Sequence, residues 1–381
     1  MPANPQTDLL ILGVYPTSDG YPNVKYRLQD LQALPEFNCT QLHVSIWKHN
    51  ISHKSVLRSL LAASRLVTGH LLILVRFIAQ RQRTLVYVPY PGVFVCALLA
   101  CLPTKLRPQR LILDAFISLY DTVVCDRQLL KAHTLLAKLL FKVERYAYQH
   151  CSAVVVDTPQ NAAYLSALFK LPQALFTAIP LSTYEASLKL PAYQAAPQDT
   201  LKILFVGTLI PLHGIDVIVN AIRLLAAESQ LQFKIIGNGQ LAAQVRELQQ
   251  QFPDRLTWID TWISQEQLVE EIAEADICLG VFGTSAKTQR VCPLKLYAYA
   301  AAGRSIITAN TEWVNAQAAA SAFMTVTPGS ATELANAILH LSRSSAQRVA
   351  YASASRAFYE NYLTNCQAVQ QLKQLLLDET H

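Results

Sequence analysis

The chain has 381 residues, which exceeds the usual length of one domain, about 100–200 residues, so two domains are expected. It is 52% hydrophobic and 15% charged, which excludes a disordered chain and predicts an unusually apolar surface. Its eight cysteines are scattered without metal-ligand spacing, which favours buried reduced thiols over a disulfide scaffold or a zinc site.

The net charge of +6 is distributed unevenly along the chain. Residues 1–190 contain 19 Lys and Arg against 10 Asp and Glu, a surplus of +9, whereas residues 191–381 have a deficit of −3. Such an asymmetry predicts an anionic partner for the first half. No motif interleaves the basic residues with aromatics, which argues against nucleic acid and leaves an anionic membrane surface as the favoured partner.

The membrane prediction is for peripheral contact rather than for a span. The most apolar stretch, residues 56–82, is interrupted by four arginines, and its longest uncharged run is about half of the ~20 residues that a spanning helix needs. Apolar stretches with basic edges, at 55–82, 93–110 and 131–145, are typical of helices lying among lipid headgroups. The alternative is that they are core helices whose basic side chains extend to water.

Strand-like and helix-like segments alternate through the first half. The strands are short continuous apolar runs, the pattern of strands buried on both faces. Predicted strands lie at residues 9–14, 41–47, 84–90, 111–116 and 153–157, and predicted helices at 24–34, 55–82, 93–110 and 129–148.

A segment with two prolines and no periodicity, residues 188–200, predicts a linker, and the alternation restarts after it. Predicted strands lie at 201–206, 232–236, 256–259, 277–281 and 305–308, and predicted helices at 214–227, 240–251, 265–275, 293–302, 331–342 and 347–377. The predicted domains are residues 1–187 and 201–345. Residues 346–381 form a C-terminal helix that we expect either to end the second domain or to cross back to the first.

This order of elements predicts an α/β protein of two doubly wound, Rossmann-like domains facing a cleft. Ligands of such sheets bind beyond the carboxyl ends of the strands, so the functional residues are expected in the loops there.

A glycine-rich loop follows the first strand of the second half. Gly207 ends the strand and Gly214 opens a helix, with Thr208 and His213 between them. A glycine lets backbone approach a ligand closely, and the free N–H groups and dipole of a helix start favour an anion. The layout predicts a phosphate-binding loop, although a glycine at such a turn is more often a packing feature.

A second loop, residues 280–295, supports the same interpretation. It ends at Pro293, a favoured first position of a helix, so the next N–H groups are expected to be unpaired. Three cations, Lys287, Arg290 and Lys295, lie within nine positions of an otherwise acidic half. Together they predict a diphosphate site. The alternative is a solvated basic loop.

Two loops of the first half supply the remaining candidates. Asp114 and Asp121 offer carboxylates to an acceptor hydroxyl, and the alternative for each is a capping or turn role. The candidates that line the acceptor side of the cleft are Gly20, Tyr21, Asn23 and Ser118.

Several enzyme classes lack their motifs in this sequence. There is no nucleophile elbow, Walker loop or zinc-protease motif. Gly237-Asn238-Gly239 lacks the third glycine of a dinucleotide fingerprint and follows the second strand of its domain, which argues against an NAD enzyme.

The second half resembles a known family. The runs ILFVGTLIPLHGIDVIVNA, FKIIGNGQ and ADICLGVFGTSAKTQRVCPLKLYAYAAAGRSIIT are similar to the nucleotide-sugar domain of bacterial retaining glycosyltransferases of the GT-B fold, family 4. The resemblance covers most of residues 201–310. The first half is similar more loosely, through DAFISLYDTVVCDR and VVVDTPQNAAYL.

The chain departs from this family at its charged positions. Thr208 and His213 stand where members commonly carry Arg and Lys, and the family's Glu pair falls on Arg290 and Ala298. A histidine that the family often has on a first-domain strand end is replaced around Asp114. The resemblance therefore implies that Lys287, Arg290 and His213 carry the diphosphate charge.

The resulting prediction is a cytoplasmic enzyme, peripheral on the inner face of the membrane, that transfers a sugar with retention from a nucleotide-sugar to a lipid-linked or cell-envelope glycan. No cofactor or metal is expected, because preorganised cations and helix-start amides stabilise the leaving phosphate. The catalytic candidates are Asp114, Asp121 and His213, and the diphosphate candidates are Gly207, Thr208, His213, Lys287, Arg290 and Lys295. The alternatives are a sugar-nucleotide epimerase of similar build and a non-catalytic sugar-nucleotide or glycolipid binding partner.

Overall fold

The computed structural model describes residues 6–16, 22–45, 56–80, 84–184, 189–195, 200–317 and 319–378, and the side chains of the helix at 56–79 from residue 64 onward. The contacts divide the chain into two units. The first contains Met1–Pro180 and Cys366–His381, and the second contains Leu181–Asn365. The segment expected to be a linker, residues 188–200, therefore falls within the second unit.

A parallel sheet forms the centre of the first unit. Its strands in the described residues are β1 (Thr7–Gly13), β2 (Phe37–His43), β3 (Leu85–Val88), β4 (Arg110–Phe116), β5 (Ala153–Val156) and β6 (Phe176–Ala178). They lie in the order β2-β1-β3-β4-β5-β6, and every pair is parallel. The direction in which strands are added reverses between β1 and β3.

Helices connect these strands. They are α1 (Pro22–Gln32), α2 (Val56–Ala79), α3 (Val93–Ala100), α4 (Leu135–Gln149) and α5 (Pro159–Phe169). The threonine before α4 and the threonine before α5 each accept a hydrogen bond from the third residue of the helix, which satisfies one of its free N–H groups. A π-helical segment, Asp121–Asp126, follows β4.

The second unit repeats the arrangement. Its strands in the described residues are β7 (Leu201–Val206), β8 (Leu231–Ile236), β9 (Leu256–Ile259), β10 (Ile277–Leu279), β11 (Ser305–Ala309) and β12 (Met324–Val326). They form a parallel sheet in the order β12-β11-β10-β7-β8-β9. The strand order reverses between β7 and β10, and ligands of open α/β sheets bind at such a point.

The helices of the second unit lie between and after its strands. They are α6 (Ile215–Leu224), α7 (Ala242–Gln251), α8 (Gln265–Glu274), α9 (Ala286–Arg290), α10 (Leu294–Ala301), α11 (Glu312–Ala316), α12 (Ala319–Ala322), α13 (Ala331–Arg343) and α14 (Ser345–Tyr362). The last helix of the chain, α15 (Asn365–Leu377), lies almost entirely in the first unit.

Both faces of the first sheet are buried. Leu10 and Leu12 of β1 pack in one apolar cluster, whereas Leu9 and Ile11 pack in another on the opposite face. Continuous apolar strands are the sequence signature of this two-sided burial. The prediction of two α/β units with parallel sheets is confirmed.

The C-terminal helix completes the core of the first unit. Its residues Ala368, Leu372, Leu375 and Leu376 pack with Leu9 and other residues of the cluster on that face. The guanidinium of Arg110 donates to the carbonyl oxygens of Leu375 and Leu376 at 3.0 and 2.8 Å. The residues that return to the first unit begin at Cys366, whereas the C-terminal helix was expected to begin at residue 346.

Several details of the predicted secondary structure are wrong. Strand β2 lies four residues earlier than expected, and β6 and β12 were not anticipated. The single helix expected over residues 347–377 is two helices, α14 and α15. Pro293, expected as the first helical residue, precedes α10 as its N-cap. Among the described helices, none is long and apolar enough to cross a bilayer.

Candidate functional site

Three residues predicted from the sequence meet at the carboxyl end of β7. A Cβ atom placed on Gly207 would lie 2.7 Å from the Lys295 Nζ and 3.3 Å from the His213 Cε1. The glycine has a φ of 150°, a value that side-chain-bearing residues rarely adopt. Glycine is therefore required here both for the backbone conformation and for the close approach of the lysine.

The lysine amine is enclosed without a polar partner. The Nζ of Lys295 is shielded from solvent and has no hydrogen-bond partner among the described residues. It lies 3.8 Å from the centroid of the Phe205 ring, a cation–π distance. Burial lowers the pKa of Lys295 well below its usual value because the charged form loses its hydration. An anion placed against this amine would supply the partner that the protein does not.

The start of α10 adds uncapped backbone amides beside this lysine. Lys295 is the second residue of the helix, and Pro293 makes no side-chain hydrogen bond to the first turn. The Leu296 N–H donates to the Pro293 carbonyl oxygen at 2.9 Å. The helix start therefore places its positive dipole end beside the Lys295 amine.

His213 fixes the loop that follows β7. Its Nδ1 lies 2.5 Å from the carbonyl oxygen of Thr208. Because a carbonyl only accepts, Nδ1 carries the proton and donates it to this bond. The imidazole therefore bridges the two ends of the loop and sets the position of the Thr208 backbone next to Gly207.

The two predicted phosphate loops are packed directly on each other. The Phe282 N–H donates to the His213 carbonyl oxygen at 3.1 Å. Gly214 has a φ of 67°, and a Cβ there would lie 2.6 Å from the Phe282 carbonyl carbon. The Thr288 hydroxyl donates to the Leu212 carbonyl oxygen at 3.3 Å. The sequence prediction that these loops belong together agrees with this geometry.

Lys287 and Arg290 lie on the short helix α9, where they are only 5% and 4% exposed. The interpretation of this segment as a solvated basic loop is therefore wrong. The Ser285 hydroxyl accepts from the Thr288 N–H at 3.3 Å and begins the helix. Both cations are consequently held in the second unit beside the turn that contains Leu212, and their contact with a diphosphate stays a prediction.

In the first unit, Asp114 lies in a buried charged cluster. Its carboxylate accepts from the Arg27 Nε at 3.2 Å and from the Tyr87 hydroxyl at 2.8 Å. Asp30 approaches the same guanidinium at 3.8 Å. The nearby carboxylates raise the Arg27 pKa against the opposing effect of burial. This arrangement favours a structural role for Asp114, so the catalytic role predicted for it has no support in its contacts.

Asp121 and Ser118 lie together at the start of the π-helical segment. The Ser118 hydroxyl accepts from the Asp121 N–H at 3.0 Å, and the Asp121 carboxylate accepts from the Tyr164 hydroxyl at 3.1 Å. Both residues are buried. Asn23 is half-buried at the start of α1, whereas Gly20 and Tyr21 lie outside the described residues.

One residue of this region was missed by the sequence analysis. Glu144 of α4 is 0% exposed and accepts from the N–H groups of Leu119 and Tyr120 at 2.9 and 2.7 Å, and from the Tyr148 hydroxyl at 2.5 Å. Burial raises the pKa of its carboxyl. It anchors the segment that contains Ser118 and Asp121. The signal was a lone acidic residue in an otherwise basic amphipathic helix.

The described residues contain no group of three His, Cys, Asp or Glu side chains that could hold a metal ion. The expectation of a metal-independent protein stays a prediction.

One protein-family model matches most of the second unit. A family model described as "Glycosyl transferases group 1" matches residues 200–344. This span runs from β7 through α13 and contains the Gly207, His213 and Lys295 cluster. A search of curated proteins found no match.

Solved structures similar to this chain cover nearly its whole length. Alr3699/HepE of Anabaena, in complex with UDP, is 14% identical with a TM-score of 0.68, covering 97% of this chain and 99% of that one. Sucrose-phosphate synthase of Thermosynechococcus elongatus is 18% identical with a TM-score of 0.69, covering 97% and 98%. The structure described as trehalose-6-phosphate from E. coli bound with UDP-2-fluoro glucose is 12% identical with a TM-score of 0.68, covering 98% and 99%.

At these identities the likeness establishes the fold. The chain has the two-domain α/β fold of the GT-B glycosyltransferases, as predicted. Assignment to family 4, and a retaining reaction, stay predictions.

Proposed function

We propose that this protein is a glycosyltransferase that takes a sugar from a nucleotide-sugar donor held by its second unit. The observation that carries the proposal is the enclosed, unpaired Lys295 amine beside Gly207 and His213, at the point where the strand order reverses. The family match over residues 200–344 and the UDP-containing neighbours support it. The diphosphate of the donor is the anion that we assign to this site.

The chemistry of the site suits departure of a nucleoside diphosphate. Breaking the bond to the anomeric carbon builds negative charge on the leaving phosphate. Preorganised donors aimed at developing charge in a site that excludes water accelerate such a step, by about 10²–10³-fold for a single donor. Lys295 and the start of α10 supply such donors, and Lys287 and Arg290 add cationic charge to the same unit.

We assign the acceptor to the first unit and propose transfer with retention. In this scheme the leaving phosphate takes the proton of the acceptor hydroxyl, so no protein base is needed. The buried Arg27 contacts of Asp114 agree with a reaction that does not use that carboxylate as a base. The stereochemistry of the product, read by NMR of the new glycosidic bond, tests this assignment.

We further propose that the acceptor is lipid-linked or part of the cell-envelope glycan, and that the protein works on an anionic membrane surface of the cytoplasm. The support is electrostatic. The first unit contains 19 Lys and Arg against 11 Asp and Glu, whereas the second contains 13 against 15. A soluble, uncharged acceptor would give no reason for a surplus confined to one unit.

A thermal-shift screen of nucleoside diphosphates tests the donor assignment. A ligand at a hundred times its Kd stabilises a protein by about 2.7 kcal/mol, which is a readily measured rise in Tm. We expect one nucleoside diphosphate to stabilise the protein more than its monophosphate or the free nucleoside. Equal stabilisation by nucleoside and diphosphate would contradict the assignment of a diphosphate site.

A non-catalytic binding protein is the second candidate. Arg290 and Ala298 occupy the positions to which the resemblance assigns a pair of Glu residues, and both are largely buried. Incubation with radiolabelled nucleotide-sugar and membrane extract separates the two candidates. Label transferred to a lipid or glycan fraction supports the enzyme, whereas tight binding without transfer, hydrolysis or isomerisation favours the binding protein.

A further inference from the structure

The helices α2, α3 and α4 of the first unit enclose an apolar groove that the proposed chemistry does not use. Its volume is about 710 Å³, within the range of about 300–1,000 Å³ typical of small-molecule sites. Its walls include Leu66, Leu71, Phe94, Ala97, Leu98 and Val143. Lys142 is the one charged residue among the described side chains that line it.

Two polar groups that line the groove already have hydrogen-bond partners on its own helices. The His70 Nδ1 donates to the Leu66 carbonyl oxygen at 2.7 Å, and the Tyr146 hydroxyl donates to the Ala100 carbonyl oxygen at 3.3 Å. A peptide occupant would bring backbone N–H and C=O groups that need partners in such a groove. A hydrocarbon chain brings no such groups, so the lining favours hydrocarbon.

Large apolar side chains are exposed on the helices that border the groove. On α2, Val67, Leu71 and Val75 are exposed, Val75 to 63%. On α4, Leu135 and Leu139 are exposed, Leu135 to 85%. Exposed apolar surface of this kind, rimmed by polar residues, marks a surface that another apolar phase covers.

The sequence that contains α2 and α3 has charges of one sign. Between Glu36 and Asp114 the sequence contains ten Lys and Arg and no Asp or Glu. On α4 the carboxylate of Glu144 is fully buried, whereas Lys138 and Lys142 are exposed. An apolar groove with an exposed lysine, Lys142, in its lining is complementary to a hydrocarbon chain that ends in an anionic headgroup.

We propose that this groove binds one hydrocarbon chain of an anionic membrane phospholipid, with the lipid phosphate beside Lys142. The exposed leucines and valines of α2 and α4 then lie at the level of the acyl chains, and the basic side chains lie among the headgroups. The inference rests on the proposed membrane association and goes further, since it names the helices that contact lipid and the chemistry of the contact.

Binding of decyl phosphate below its micelle concentration, measured by calorimetry on the full chain, tests the groove. We expect saturable binding by the wild type. Leu98→Trp, which fills the groove, is expected to weaken binding about tenfold or more, because displacing about two methylenes from an apolar site has that effect. Leu224→Trp places the same side chain on an exposed position of α6 in the second unit and serves as the matched control.

The contact with the lipid phosphate is tested by two lysine variants, one inside the groove and one outside it. Lys142→Gln is expected to weaken decyl phosphate binding about fivefold and to leave decanol binding unchanged, because one Lys near an anionic surface contributes about that factor. Lys138→Gln removes an exposed lysine from the preceding turn of the same helix, outside the groove, and is expected to have a smaller effect. Equal binding of decyl phosphate and decanol by the wild type would show that the headgroup is not recognised.

Three outcomes would overturn the proposal. Leu98→Trp binding decyl phosphate as tightly as the wild type would exclude the groove. If Leu98→Trp bound phosphatidylglycerol-containing vesicles as well as the wild type does, the protein would associate with membranes through a surface other than the groove. If the wild type sedimented as a dimer without lipid and Leu98→Trp did not, the occupant of the groove would be a second copy of the chain. Nucleoside diphosphate binding is expected to be unchanged in Leu98→Trp, so failure here is distinguishable from failure of the donor site.

Discussion

The Nζ of Lys295 lies 3.8 Å from the centroid of the Phe205 ring, and a Cβ on Gly207 would lie 2.7 Å from the same nitrogen. A lysine amine in this setting has an aromatic face on one side and a glycine backbone on another. Among the residues that the structure describes, none is a hydrogen-bond partner of this amine.

Lys295→Met is expected to weaken binding of a nucleoside diphosphate by about 1.5–3 kcal/mol, the value of a hydrogen bond to a charged group. Calorimetry measures the change. Lys202→Met is the control. Lys202 lies on the same strand as Phe205 and pairs with Glu274, and its replacement is expected to leave the affinity for the nucleoside diphosphate unchanged. Equal affinities of wild type and Lys295→Met would remove this lysine from the donor site.

The depressed pKa of Lys295 also predicts how binding depends on protons. In the free protein above the folded pKa the amine is neutral, and a bound diphosphate favours the charged form, so binding is coupled to proton uptake. At pH 8 the phosphate, with a second pKa of about 6, is already ionised and contributes little. Calorimetry in buffers of different ionisation heat should show more proton uptake for wild type than for Lys295→Met. Identical uptake by the two proteins at every pH up to the usual pKa of a lysine would contradict the lowered pKa of Lys295.

The lowered pKa of Lys295 also determines how the free energy of unfolding changes with pH. Between the lowered folded pKa and the usual unfolded value, the unfolded chain binds the additional proton, so the contribution of Lys295 to stability rises with pH in that window. The free energy of unfolding of Lys295→Met should therefore exceed that of wild type most at the acid end of the window, and the difference should shrink as the pH approaches the unfolded pKa. Urea titrations at a series of pH values measure it. A difference that grows with pH would contradict the depressed pKa.

Gly207→Ala is expected to abolish donor binding, because the added methyl group occupies the space of the Lys295 amine and the backbone conformation strains it, at about 1–3 kcal/mol for strain alone. Gly303→Ala is a matched control, since Gly303 has a φ of 59° but nothing closer than 3.4 Å to its Cβ position. It should lower Tm without changing nucleotide affinity. Normal affinity in Gly207→Ala would mean that the ligand does not approach this strand end.

Asp114→Ala is expected to destabilise the first unit by about 3–5 kcal/mol, the usual effect of removing one member of a buried ion pair. Arg27→Met with Asp114→Leu, which removes both charges, should recover part of this loss. Urea denaturation of the single and double variants measures the coupling. If Asp114→Asn instead folds with wild-type stability and loses only transfer, Asp114 belongs to the chemistry and the structural assignment is wrong.

Vesicle binding is expected to fall steeply as the salt concentration rises above about 0.15 M, because the basic surplus of the first unit acts through screened charges. Sedimentation with phosphatidylglycerol-containing vesicles measures it, and pure phosphatidylcholine vesicles are the control. Binding of both vesicles to the same extent at every salt concentration would contradict the electrostatic account.

The strands were predicted well where they are buried on both faces and less well at the sheet edges. Strand β7 was predicted at its observed bounds because its apolar run is uninterrupted. Strand β2 is an edge strand with Asn38, Thr40 and Gln41, so the more apolar residues that follow it gave the stronger signal. Strands β6 and β12 have three residues each, too few for a period to be recognised.

The two loops that we assign to the donor could be selected from the sequence because their glycines, prolines and cations are close together in the chain. The sequence did not show which of these cations are buried. That depends on tertiary packing, as the contact of Lys295 with Phe205 shows, since 90 residues separate them in the chain. The Arg27 and Asp114 pair spans 87 positions, so the buried contact of this carboxylate could not be read from the local pattern that made it a catalytic candidate.

The return of α15 to the first unit makes that unit discontinuous in the sequence. Its N-terminal 180 residues leave the ribosome with the apolar cluster on one face of β1 incomplete, because Leu372 and Leu376 are synthesised only after the whole second unit. We therefore expect the second unit to be able to fold during synthesis, and the first to complete its core only after α15 has been made. A nascent chain stalled before Cys366 should therefore expose a hydrophobic sheet face, and a C-terminal truncation should damage the N-terminal half of the protein first.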